Sequence, residues 1–144
     1  MYPILLHSHS GLRWLILLVL IIVFIKYISG WAMNSQWKKA DNILGISLTA
    51  IADLQLMSGI LLYIWYSPIT KTAFNDFGAA MKNADLRFYF VEHLLIMILA
   101  VVFIHIGRTR SKRAETARLK FKKALFWFSL ATVLILFGIP WERV

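Results

Sequence analysis

The sequence predicts an all-α fold, a four-helix transmembrane bundle running up-down-up-down, and two observations lead there. Hydrophobic residues make up 60% of the chain, against roughly 45–50% for a soluble domain. They gather into four runs, approximately 11–31, 43–65, 88–106 and 124–141, each close to the roughly 20 residues that a spanning helix needs. Only 16% of residues are charged, yet the net charge is +9. That charge is confined between the apolar runs, where a soluble basic protein would spread it over its surface. Backbone groups in lipid must be satisfied within the segment, which makes helices the expected spanning form. The 144 residues therefore read as one integral membrane domain, 1–144.

The first run follows "LLHSHSGLRW", which sets His7, His9 and Arg13 at its mouth. A cleaved signal peptide fits poorly. No basic segment precedes the run, and Ser29-Gly30-Trp31 is a poor cleavage site. The second run is the least hydrophobic, because it holds Asp53, Gln55 and small residues. Gly45, Thr49, Ala52 and Gly59 form a rough stripe there, suited to close helix packing. Between the second and third runs, 70–83 fits a short amphipathic helix lying on the membrane surface. The fourth run is the cleanest, and Pro140 stops it.

Loop 107–123 carries eight basic residues and a single acid, Glu115. The positive-inside rule assigns it to the cytoplasm. Four spans then place both termini and the 66–87 loop outside. Arg13 stands on the disfavoured side. The basic loop fits topology and attraction to anionic lipid, and with no recognisable module it does not suggest nucleic-acid binding. The expected partner is the lipid bilayer, with other membrane respiratory subunits or a homo-oligomer as further candidates. The absence of cysteine excludes disulfides, thiolate metal sites and covalent c-type heme attachment.

Ionisable groups inside a membrane are costly and need partners or a function. His7, His9, Arg13, Glu92 and His93 fall at one outer level. Asp53 lies a step below them, nearer the midplane. His105 is twelve residues past His93, about 18 Å along a helix axis, so it cannot join them. His93 with His9, or with His7, could give two axial imidazoles to a heme b, and Arg13 could meet a heme propionate. Three alternatives use the same groups. A His-x-His chelate could hold a non-heme ion if that segment is extended. Asp53, Glu92 and His93 could relay protons. A histidine and a carboxylate could bind a quinone. In a non-redox accessory subunit the polar groups would only lock helices together, for example through an Arg13–Glu92 pair. No P-loop, dinucleotide fingerprint, nucleophile elbow or zinc-protease motif occurs; a redox role would make the chain an electron-transfer protein rather than a stand-alone enzyme.

The segments "LLHSHSGLRWLILLVL", "ADLQLMSGILLYIWYSP", "LRFYFVEHLLIM", "HIGRTRSK" and the closing "IPW" resemble a family of small four-span bacterial inner-membrane proteins often labelled cytochrome b-like. The resemblance covers nearly the whole chain. It implies a b-heme or quinone-linked role in the bacterial inner membrane. The residues it carries over are His7, His9, Arg13, Asp53, Gln55, Arg87, Glu92 and His93. The chain departs from the di-heme pattern, which places two histidine pairs on two helices.

Overall fold

In the computed structural model, which describes residues 1–143, the chain is all-helical. Helix α1 runs Tyr2–Ala32 and α2 runs Lys39–Leu61, continuing through a π-turn over Leu62–Tyr66. Three short helices follow: α3 (Pro68–Asn75), α4 (Phe77–Lys82) and α5 (Ala84–Arg87). A second π-turn, Phe88–Glu92, leads into α6 (His93–Lys112), and α7 (Ala117–Gly138) completes the bundle. Four continuous helical stretches, Tyr2–Ala32, Lys39–Tyr66, Ala84–Lys112 and Ala117–Gly138, are long and apolar enough to cross a membrane. The protein is a multi-pass membrane protein. Its outward face is the apolar one, with Ile21, Ile25, Leu54, Leu95 and Phe137 all exposed, as a bilayer requires.

Helix α1 starts well before the expected edge at residue 11. Pro3 lies in its first turn, where a missing N–H costs nothing. Ser8 returns its hydroxyl to Ile4 O at 2.9 Å, so the polar His7–Ser10 stretch does not interrupt the helix. The loop between spans 2 and 3 forms three helices where one was expected, because it contains three capping side chains. Ser67, Asp76 and Asn83 accept from the N–H groups of Thr70, Ala79 and Leu86 respectively, and each cap starts a new helix. At the turn after α1, Asn34 takes φ 50°, a conformation its short polar side chain tolerates.

The spans pack in a ring, with α1 against α2 and α7, and α6 against α7 and α2. The core lines up at helical spacing, through Ile16, Leu20, Val23 and Tyr27 of α1 and Phe121, Ala124, Phe128, Ala131 and Ile135 of α7. At the end nearest the basic loop it is aromatic and tight. The Tyr27 ring lies 5.6 Å from Phe121 and 5.3 Å from Trp37, and its hydroxyl donates to Asp41 O at 2.6 Å. Gly107 lets α6 close on α7, since a Cβ there would sit 2.7 Å from Trp127 Cβ. At the opposite end the inward positions are small, with Ala52 and Gly59 on α2 and Ala100 on α6, and a cavity opens there.

Candidate functional site

The cavity has a volume of about 480 Å³ and lies between all four spans, at the end away from loop 107–123. Its walls are mostly apolar, from Ile16, Met97, Ala100 and Ile135. Its ionisable and amide groups are His9 and Arg13 from α1, Gln55 from α2 and His93 from α6, with the exposed His7 at the rim, and hydroxyl groups such as those of Ser10, Tyr63 and Thr70 also line it. Pockets for small molecules and cofactors have this character, apolar walls with a small number of placed polar groups.

Each of the two inner histidines is fixed by one hydrogen bond. His93 Nδ1 lies 2.7 Å from Gly138 O. A carbonyl can only accept, so Nδ1 carries the proton and Nε2 keeps its lone pair. That carbonyl is available because α7 ends at Gly138 and its last carbonyls have no partner within the helix. His9 Nδ1 lies 2.9 Å from Ser58 Oγ. Ser58 directs its single hydroxyl proton to Gln55 O at 2.9 Å, so it accepts from His9. The His9 Nε2 lone pair is then also turned to other partners, with Gln55 Nε2 at the long distance of 3.5 Å. Gly59 makes room for the ring, because a Cβ there would come within 3.0 Å of His9 Cε1.

The two rings meet edge-on, with centres 6.4 Å apart and planes at 75°. Two imidazoles bound on opposite sides of one metal, at metal–nitrogen distances of about 2 Å, place their centres roughly 6 Å apart. Locking Nδ1–H on a carbonyl or hydroxyl while Nε2 stays free is how metal-binding histidines are oriented. Two buried atoms of the cavity wall have no hydrogen-bond partner among the described residues: Arg13 Nε and Gln55 Oε1. One is a donor and the other an acceptor. A polar ligand there would satisfy them.

The other residues singled out from the sequence lie at the rim or elsewhere. His7 is exposed. The segment is helical, which turns His7 about 200° around α1 from His9; the extended His-x-His chelate does not form. Glu92 pairs with Arg87 at 2.8 Å, not with Arg13. Asp53 pairs with His105 at 2.8 Å on the exposed side of α2 and α6. Asp53, Glu92 and His93 are therefore not brought together as a relay, because equal depth does not make equal azimuth. Among the described residues no group of three or more His, Asp or Glu gathers that could hold a metal ion. Ser58 and the Gly138 carbonyl were not anticipated. The cue for the second was present, a glycine closing the fourth span just before Pro140.

Compared with protein-family models, curated proteins and solved structures, the chain matches none.

Proposed function

We propose that the protein is a small b-type cytochrome that holds one heme between His9 and His93 and takes part in electron transfer. The carrying observation is the pair of rings 6.4 Å apart beside the cavity, each with Nδ1 engaged, so that Nε2 of each is the nitrogen available to iron, the long 3.5 Å contact of His9 Nε2 with Gln55 Nε2 giving way. The heme, when bound, supplies a one-electron couple. The chain's own residues orient and shield it. Gly138 O and Ser58 Oγ set the ring planes, Gly59 seats the His9 ring, Ala52 and Ala100 leave space for a macrocycle, and Ile16 and Ile135 exclude water. Arg13, with its unpartnered Nε, would neutralise a propionate. The basic loop supports a bacterial inner membrane orientation with that loop cytoplasmic, both termini periplasmic and the site near the outer face. Electron-transfer partners would be other membrane respiratory subunits.

A second reading, a quinone in the same cavity, is favoured by one observation. The buried donor Arg13 Nε and acceptor Gln55 Oε1 match a ring that presents a carbonyl on one side and a hydroxyl on the other. The non-redox alternative, an accessory subunit, would leave His93 Nε2 without a ligand and His9 Nε2 with only the long contact to Gln55.

The test is a reduced-minus-oxidised spectrum of protein made with ample heme and purified in mild detergent. A Soret band and an α-band that His93→Ala and His9→Ala abolish and His105→Ala leaves intact would support the cytochrome reading. Their absence from the wild-type protein would sink it, and quinone bound without heme would favour the second.

A further inference from the structure

Asp53 lies near the middle of the membrane-crossing helix Lys39–Tyr66, yet its side chain is 44% exposed, and that of its partner His105 is 50% exposed. In a bilayer, exposure at that level means hydrocarbon, where ionisable groups are expensive. The bond between them is built in. Helical side chains lean toward their own N-terminus, and α2 and α6 are antiparallel, so the two lean toward each other. The bond uses only His105 Nε2 and Asp53 Oδ1. Among the described residues His105 Nδ1 and Asp53 Oδ2 have no hydrogen-bond partner.

Burial in lipid favours a pair with no net charge. Two forms qualify: carboxylate with imidazolium, or carboxylic acid with neutral imidazole. Either way the shared proton sits between Nε2 and Oδ1. Either way Nδ1–H is a donor without an acceptor, and Oδ2 is an acceptor without a donor. One donor and one acceptor side by side are self-complementary. A two-fold axis along the membrane normal sets each Nδ1–H against the other copy's Oδ2 at the same depth, the isologous arrangement of a symmetric dimer. The surrounding face suits close approach. Ala50, one turn from Asp53, is exposed and small, and Met57, Ile98 and Val102 form an exposed apolar border. Small residues around a polar pair are a common basis of helix association in membranes.

We infer that the α2–α6 face carrying Asp53 and His105 docks a second copy of this chain within the membrane, each pair completing the other's hydrogen bonds. This surface is separate from the cavity of His9 and His93, so it stands or falls independently of the heme.

The chain has no cysteine, which makes single-cysteine crosslinking in native membranes clean. Ala50→Cys should give a product of twice the chain mass on oxidation. Val133→Cys on α7, 52% exposed, should not. Adding Asp53→Leu with His105→Leu to Ala50→Cys should lower the yield roughly tenfold at equal membrane content. Absence of product from Ala50→Cys, equal product from Val133→Cys, an unchanged yield in the double-leucine variant, or a product of another mass would each overturn the inference. Should a variant fail to insert, subunit counting of the wild-type protein in lipid vesicles decides. Pairs are expected, and single chains would refute the dimer.

Discussion

Replacing Ser58 by alanine removes one oxygen and leaves the rest of α2 intact. That oxygen sits 2.9 Å from His9 Nδ1 in a residue that is 9% exposed. The imidazole N–H would lose its acceptor in a part-buried place. Leaving a buried donor unpaired costs about 1–3 kcal/mol, and the ring would turn to relieve it. Rotation would alter the 6.4 Å spacing of the His9 and His93 rings. Loss of an orienting partner of this kind lowers affinity for the bound metal group by about 10–100-fold. The assay is a heme titration of the apoprotein in detergent, read at the Soret band, with Ser129→Ala as control, since Ser129 is exposed and bonds only its own helix at Leu125 O. Ser58→Ala should weaken binding within that range and Ser129→Ala should not. Equal affinities in Ser58→Ala and wild type would refute the argument that Ser58 orients His9.

Three further outcomes follow from the packing. Gly107→Ala should destabilise the bundle by about 1–3 kcal/mol in a reversible unfolding assay, because its Cβ would meet Trp127 Cβ at 2.7 Å and the Phe128 ring at 2.9 Å; Gly11→Ala, with nothing within 4 Å, should be neutral or stabilising. Gly59→Val should leave the fold intact but displace the His9 ring from its 3.0 Å approach, weakening heme uptake at least as much as Ser58→Ala; unchanged uptake would mean that the ring has slack. Tyr27→Phe should cost about 1 kcal/mol of stability by removing the hydroxyl bonded to Asp41 O at 2.6 Å, with no effect on any spectrum from the cavity.

The spans were legible because hydropathy over about 20 residues is a strong signal, and the convergence of His9 and His93 was legible from depth alone. What depth cannot give is azimuth. Asp53 and Gln55 are two residues apart, about 200° around a helix, so Gln55 reaches the cavity while Asp53 looks outward to His105. Glu92 is about 100° from His93 and turns to Arg87. The choice between His7 and His9 depended on where α1 begins, and the polar run "HSHS" hid a helix that starts at Tyr2. The 70–83 segment is helical as its pattern predicts, but it divides because Asp76 caps a new turn at Ala79.

The reading of the site as a bis-histidine heme pocket is tested most directly by heme content and spin state together. One heme per chain, low-spin in the oxidised protein and closed to carbon monoxide when reduced, is the expected finding, with His9→Ala converting it to a high-spin, carbon monoxide-binding form. A wild-type protein that holds no heme, or one that is high-spin and binds carbon monoxide, would contradict ligation by both His9 and His93.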